Sequence, residues 1–135
     1  MTRETARNEW GVIIQHEEQD LLELQWLPGP MADAAFKTTL ALLALEAEKL
    51  RPRGILIDAT QFRHQFGAGV MDWRDASIIP RYGAAGVRKF AFHVPAGAPN
   101  VMEAGGTERY DGPSAVFPTA WFSQRTNALA WLTKR

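Results

Sequence analysis

The sequence contains no cysteine among its 135 residues. Disulfide bonds, thiol nucleophiles and cysteine-ligated metal sites are therefore excluded. The sequence also lacks an apolar run near the roughly 20 residues that a membrane helix requires. Its first ten residues, MTRETARNEW, have no apolar core of the kind that a secretory signal contains. We therefore expect a cytoplasmic protein without a membrane span, a location that the lack of disulfides fits.

An excess of positive charge is missing as well. Lysine and arginine number 15, and so do aspartate and glutamate, so the formal net charge is zero. A nucleic-acid-binding domain requires a basic surface, and we therefore expect no nucleic-acid partner. Hydrophobic residues make up 46% of the chain, which is enough for a core and argues against disorder. The length corresponds to one domain, residues 1–135.

The N-terminal third predicts a strand hairpin followed by a long helix. Residues 1–8 are polar and are expected to form a lead that precedes the sheet. The segments WGVIIQH (10–16) and LLELQWL (21–27) have the composition and periodicity of strands, and the short polar link between them predicts antiparallel pairing. Residues 32–50 carry apolar side chains at helical spacing, with Asp33 as an N-cap or first-turn acid.

The segment ILIDAT (55–60) is aliphatic without alternation, which is typical of a central parallel strand covered on both faces. A helix is expected from about residue 70 to 82, and Pro80 should kink it or end it. A further strand leads to residue 94. The Gly/Pro-rich residues 96–113 predict a loop.

The last strand is expected within residues 115–122. Pro118 implies that this strand lies at an edge or starts late, because proline cannot donate to a ladder. Ser123 is the expected N-cap of a closing helix. The element order is then β-β-α-β-α-β-β-α. This order predicts an α/β fold: a mixed sheet of four or five strands with an N-terminal antiparallel hairpin and helices packed on it.

Short segments in the second half carry a resemblance to a known family. They include the strand end Leu56-Ile57-Asp58, the pair Phe62-Arg63, Trp73, Ile78-Ile79-Pro80-Arg81 and the closing segment 128–132. In this order and spacing they resemble the bacterial STAS-like proteins, small relatives of the anti-sigma factor antagonists that are also called stage II sporulation protein AA-like. The resemblance extends from about residue 21 to 132 and implies the same kind of sandwich fold.

The resemblance implies a non-enzymatic regulatory module. Such a module would bind a protein partner or a small ligand and would form a homodimer. Classical antagonists carry a phosphorylatable serine at the start of the helix after the third strand. No serine or threonine stands between Gln61 and Asp75 here, so the phospho-serine switch is not carried over.

Several polar and aromatic side chains are expected near the ends of the predicted parallel strands, where open α/β sheets bind their ligands. Asp58 and Thr60 end the third predicted strand, and His93 lies near the end of the fourth. The candidate ligand-binding cleft comprises Asp58, Thr60, Phe62, His64, Trp73 and His93. A structural interpretation remains open beside this one: Asp58 accepts N–H bonds from the next loop, His93 packs or makes a satisfied hydrogen bond, and His64 is a solvated loop residue.

Two other functions remain open. A small hydrolase would use Asp58 with His64 or His93 as an acid–base pair. A carrier of a small apolar or lipid-like ligand would hold it in a pocket lined by Phe62, Phe66, Met71 and Trp73. We assign no catalytic residue and expect no cofactor. We also expect no metal site, since no two histidines have helical ligand spacing.

Overall fold

The computed structural model describes residues 2–95 and 117–134. The described residues form one sheet of six strands with α-helices on both of its faces. The elements are β1 (Thr2–Arg7), β2 (Gly11–His16), β3 (Leu21–Trp26), α1 (Asp33–Leu50), β4 (Gly54–Asp58), α2 (Val70–Ser77), α3 (Ile79–Ala84), β5 (Lys89–His93), β6 (Thr119–Phe122) and α4 (Arg125–Thr133). The loop expected at 96–113 lies outside the described residues.

The strands lie side by side in the order in which they occur in the chain. The β1–β2 and β2–β3 pairs are antiparallel, and the β3–β4, β4–β5 and β5–β6 pairs are parallel. The strand β4 therefore has a parallel neighbour on each side, as its unbroken aliphatic run predicts. The mixed α/β class is confirmed.

The expected strand count of four or five was wrong, because residues 1–8 are not a lead. Residues Thr2–Arg7 form β1, which pairs with β2 and ends the sheet on one side. Its side chains are exposed or half-buried, so no apolar alternation marks it in the sequence. Backbone pairing with β2 joins this edge strand to the sheet, and Arg3 Nε also donates to Gln15 Oε1 at 3.0 Å. Neither contact depends on an apolar side chain.

The helix expected at 70–82 is two helices, α2 and α3. The helix is interrupted at Ile78, whose φ of −111° departs from helical values. Pro80 occupies the first turn of α3. Proline lacks an N–H and fits where no helical N–H bond is needed, so the predicted interruption is confirmed. The strand β6 begins after Pro118 and is the last strand of the sheet, as predicted.

Two differently built layers cover the sheet. We call the side that packs against α1, α2 and α3 the broad face. Its core includes Trp26, Phe36, Leu43, Ile57, Tyr82 and Phe90. We call the opposite side the α4 face. Its smaller cluster comprises Leu21, Leu56, Ala91, Ala120, Phe122, Ala128 and Leu132.

The helix α4 begins one residue later than expected. Its N-cap is Gln124 rather than Ser123, and no side chain caps it. Charged groups connect both ends of α4 to the sheet: Arg125 pairs with Glu23, and Lys89 Nζ donates to the carbonyl oxygens of Trp131 and Lys134 at 2.9 and 3.0 Å. Within residues 2–95 and 117–134, no helix is both long enough and apolar enough to traverse a bilayer.

Candidate functional site

Asp58 closes the turn that follows β4. Its Oδ1 accepts hydrogen bonds from the backbone N–H of Thr60 at 3.1 Å and from Thr60 Oγ1 at 2.7 Å. The carboxylate thus holds a local turn of the kind that aspartate commonly forms. The structural interpretation of Asp58 accounts for these two hydrogen bonds, and Thr60 is bound rather than free.

His93 lies beside Asp58 on the neighbouring strand. The two residues are direct register partners of β4 and β5. His93 Nδ1 is 3.9 Å from Asp58 Oδ1, which is beyond hydrogen-bonding distance. Within the described part of the chain, this buried Nδ1 has no hydrogen-bond partner. Every second side chain of a strand points to the same face of the sheet. Asp58 is two residues after Leu56 and His93 is two residues after Ala91, so both side chains point to the α4 face with them.

The sheet divides the six predicted cleft residues into two groups. Asp58 and His93 lie on the α4 face. Phe62 and Trp73 pack against the core of the broad face, and His64 contacts Phe62. The structure therefore brings Asp58, Thr60 and His93 together, and it places Phe62, His64 and Trp73 on the other side of the sheet.

A cluster of rings lies at the start of α1. We call it the aromatic rim; it comprises Trp26, Phe36, Phe62, His64 and Phe66. Trp26 and Phe36 form the buried base, with ring centroids 5.5 Å apart. Phe66 lies on top, 4.6 Å from Phe36 and 37% exposed. Apart from the stacked Trp26–Phe36 pair, the rings meet at tilted or edge-to-face angles, and this packing fixes their orientation.

Asp33, in the first turn of α1, fastens the loop that carries the rim. His64 Nε2 lies 2.6 Å from Asp33 Oδ1, and the Gly67 N–H donates to both carboxylate oxygens at 3.1 and 3.3 Å. The hydrogen bond from His64 lowers the pKa of Asp33, the Gly67 N–H adds to this effect, and partial desolvation opposes it. The His64 side chain is only 14% exposed, so the expectation of a solvated His64 was wrong.

Trp73 forms a smaller contact further along the broad face. Lys37 Nζ lies 5.4 Å from the centroid of its ring, within the range of a cation–π interaction. Trp73 also packs against the core and is half-buried. Its role as a cleft wall remains a prediction.

A buried carboxylate on the α4 face was missed from the sequence. Glu23 on β3 is 0% exposed. Arg125 binds it through two guanidinium nitrogens, His16 Nε2 lies 2.8 Å from Oε1, and Gln25 Nε2 donates to Oε2 at 3.2 Å. Burial disfavours the charged form of Glu23, but the hydrogen bonds from Arg125 and His16 outweigh burial and hold the pKa of Glu23 below its ordinary value.

One weak signal of this network was present in the sequence. Glu23 is the one charged residue of the segment LLELQWL, at a position that faces away from Leu22, Leu24 and Trp26. A charged residue inside a strand that is covered on both sides implies a buried partner. The partner, Arg125, is 102 residues away, and no local pattern connects the two.

A surface depression lies away from Asp58. It has a volume of about 550 Å³ and is lined by residues of α3 and by segments that precede β5 and β6, including Pro80, Arg88 and Pro118. These segments lie at the amino ends of the parallel strands, and Asp58 lies at the carboxyl end. In the described part of the chain, no three His, Asp or Glu side chains form a group that could hold a metal ion.

Comparison with known proteins gives no relative: no family model, no curated protein and no solved structure matches the chain.

Proposed function

We propose that the protein is a non-enzymatic binding module that recognises a protein partner through the aromatic rim. The observation that carries the proposal is an exposed aromatic side chain, Phe66, on a loop that Asp33 and the rings beneath it hold in place. The kind of module is the one that the resemblance to STAS-like proteins implies. We also propose that the protein forms a homodimer and that a small ligand binds near Asp58, Thr60 and His93.

The environment of Asp58 supports a non-enzymatic role. An Asp–His acid–base pair needs a histidine nitrogen within about 3.2 Å of the carboxylate oxygen with which it shares a proton. Here the oxygen of Asp58 nearest to His93 already accepts two bonds from Thr60, and His93 Nδ1 is 3.9 Å away. The other candidate base, His64, is bound to Asp33. Neither histidine pairs with Asp58 in the way that the hydrolase hypothesis requires.

The fixed loop supports partner recognition. Residues 59–69 have no helix or strand of their own, yet side-chain bonds and stacked rings hold several of them. A binding surface that is already ordered loses less conformational entropy when a partner binds. Aromatic side chains are also enriched among the residues that contribute most to protein–protein affinity. The exposed Phe66 therefore has the features of an interface anchor.

The chemistry of the loop indicates the kind of partner. Arg63 is exposed beside the rim, and its Nη1 donates to the carbonyl oxygens of Thr60 and Phe62 at 2.9 and 3.0 Å. Because its charge remains at the surface, a complementary partner would present an apolar side chain to Phe66 and a carboxylate to Arg63. The loop that carries Phe62, His64 and Phe66 precedes α2. In the family that the sequence resembles, the phosphorylatable serine lies at the start of the corresponding helix.

Two matched variants test the proposal. Phe66→Ser removes the exposed ring of the rim, and Leu45→Ser removes the other large exposed hydrophobic of the described residues, which is 51% exposed on α1. Each tagged protein serves as bait in extracts of cells that express the parent protein, and bound proteins are identified by mass spectrometry. We expect the parent and Leu45→Ser to retain one common partner and Phe66→Ser to lose it. Purified partner should bind Phe66→Ser at least about tenfold more weakly, as the loss of an interface anchor predicts.

Two outcomes would contradict the proposal. Equal binding of the partner by the two variants would show that the rim is not part of the recognition surface. Hydrolytic turnover by the parent, abolished by Asp58→Asn in a folded protein, would favour the enzyme instead. Circular dichroism of each variant guards against a loss of binding through unfolding.

A further inference from the structure

The outward side of α1 carries an uncharged line of side chains, which we call the α1 seam: Ala34, Thr38, Ala41 and Leu45. Their spacing of four, three and four residues places them in one line along a helix. Ala34, Thr38 and Leu45 are exposed, and Ala41 is half-buried. The outer face of a surface helix normally carries charged and polar residues, so an uncharged line over about three turns indicates a contact surface.

A shallow groove lies at the start of the α1 seam. It has a volume of about 470 Å³ and is lined mainly by apolar residues, including Trp10, Pro30, Met31, Ala34 and Thr38. A cavity of about 150 Å³ accommodates benzene, so this groove has room for a leucine side chain. Leu45, at the other end of the seam, is 51% exposed and projects from the same side of the helix.

The groove and Leu45 have the arrangement that a two-fold symmetric contact requires. In such a contact, a patch of one copy meets a different patch of the other copy, and the same pairing occurs twice. When two α1 helices pack antiparallel with the symmetry axis midway between Ala34 and Leu45, Leu45 of each copy lies opposite Ala34 and the groove of the other. Thr38 then lies opposite Ala41 of the other copy, and these small side chains allow the helices to approach closely.

The charges at the ends of the seam are complementary in the same arrangement. Lys49 lies one turn beyond Leu45; its side chain is 68% exposed and lies 3.0 Å from Glu46. Across the antiparallel contact, Lys49 lies beyond the start of the other α1, where Trp10 lines the groove. Glu9 precedes Trp10, is exposed and takes part in none of the ion pairs of the described residues. Lys49 of one copy and Glu9 of the other therefore bring opposite charges to the edge of the contact.

We propose that the α1 seam is the interface of the homodimer and that it binds the seam of a second copy in antiparallel orientation. The inference rests on the proposed homodimer and names the surface that forms it. Recognition of another protein by the aromatic rim is separate, because Phe36 is nine residues before Leu45 and lies on the opposite side of α1. A contact along one helix is small, so the dimer should be weak and should dissociate in the micromolar range.

Sedimentation velocity over a series of protein concentrations tests the interface. Thr38→Arg places a long cation in the groove and near the symmetry axis, and Leu45→Asp replaces the projecting side chain with a charge. Each should weaken dimerisation at least about tenfold, since each brings an unpaired charge into the contact. Ala130→Arg, at an exposed position of α4, is the control and should dimerise like the parent.

Disulfide cross-linking tests the orientation, and the parent has no cysteine that could interfere. Ala34→Cys and Leu45→Cys proteins are mixed and oxidised. The antiparallel arrangement brings position 34 of one copy opposite position 45 of the other, whereas the two copies of either position are offset by roughly 16 Å along the helix, too far for a disulfide. The mixture should therefore form a covalent dimer much faster than either protein alone.

The possible failures are distinguishable. A parent protein that sediments as a monomer up to about 100 µM would overturn the homodimer and the interface together. A parent dimer that folded Thr38→Arg and Leu45→Asp proteins retain unchanged would overturn the α1 seam alone, because the homodimer would then form through another surface. Faster cross-linking of Ala34→Cys with itself would overturn the antiparallel orientation. Circular dichroism establishes that each variant is folded.

Discussion

On the broad face, three helices bury aromatic and aliphatic side chains; on the α4 face, one helix of nine residues shares the cover with a buried ion pair. The first arrangement depends on apolar area and close packing, which together provide most of the stability of a fold. The second arrangement combines a small apolar cluster with contacts that require exact pairing of charged atoms. The faces therefore differ in what holds their helices in place.

Glu23 illustrates what a buried charge contributes. Removing a carboxylate from water costs several kcal/mol, and its partners recover this cost only with good geometry. Arg125 meets the requirement with two bonds, while Lys89 fastens the other end of α4. We infer that this face uses charge to determine where α4 lies, and that the broad face supplies most of the free energy of unfolding.

The largest expected effect on stability comes from substitutions that create a cavity in the core of each face. Leu43 on α1 and Leu132 on α4 are 0% and 7% exposed. Leu43→Ala should lower the free energy of unfolding by about 3–5 kcal/mol, and Leu132→Ala, near the end of a short helix, by about 2 kcal/mol. Urea denaturation measures both. Equal losses would mean that the two faces contribute alike.

A somewhat smaller effect is expected when the buried ion pair is broken. Arg125→Met leaves Glu23 without its main partner and should cost about 3 kcal/mol in urea denaturation at pH 7. The control is Arg7→Met, which removes the exposed Glu4–Arg7 pair on the same side of the sheet and should change stability by less than about 0.5 kcal/mol.

The double variant Glu23→Leu with Arg125→Met tests the same comparison further. It replaces both charges with apolar groups and should recover most of the stability that Arg125→Met loses. A double variant as unstable as the single one would show that the ion pair itself is required, rather than the absence of an unpaired charge.

The smallest effect is a dependence on pH. The folded pKa of Glu23 lies below its ordinary value of 4.5, so its ion pair contributes fully above that pH. The contribution is lost as the pH falls from 4.5 through the folded pKa. In urea denaturation from pH 7 to pH 3, Glu23→Gln should therefore show a flatter profile than the parent.

The control for the pH profile is Glu48→Gln. Arg81 also lowers the pKa of Glu48, but this pair lies at the surface. Its contribution should disappear at high salt because solvent ions screen it. If Glu23→Gln has the same acid profile as the parent, the buried pair does not govern acid unfolding.

The sequence predicted the apolar framework well because burial leaves a pattern of apolar residues, which is periodic in β3 and α1 and unbroken in β4. The hairpin of β2 and β3, the helix α1 and the interior strand β4 were expected within a residue or two of their observed bounds. The polar strand β1 was not predicted, since an edge strand can form without a face of apolar side chains. Such a strand depends on backbone bonds to β2, which side-chain patterns do not reveal.

The candidate site was harder to predict because it depends on contacts across the fold. Asp58 and His93 were expected to lie together and do, as ends of adjacent parallel strands. His64 was grouped with them, but its partner is Asp33, which is 31 residues earlier in the chain. Sequence spacing places residues along an element, whereas the pairing of two distant polar side chains depends on the finished packing.

The irregular pairing of β1 has a consequence for association between copies of the protein. Its register against β2 shifts between Glu4 and Ala6, so that Thr5 is an extra residue on this border of the sheet. An extra residue twists the strand and disrupts the row of free amide groups, and the flanking charges of Arg3, Glu4 and Arg7 would have to lose their hydration if another strand docked there. The bulge and these charges therefore disfavour the growth of a fibre by the addition of strands at this side of the molecule.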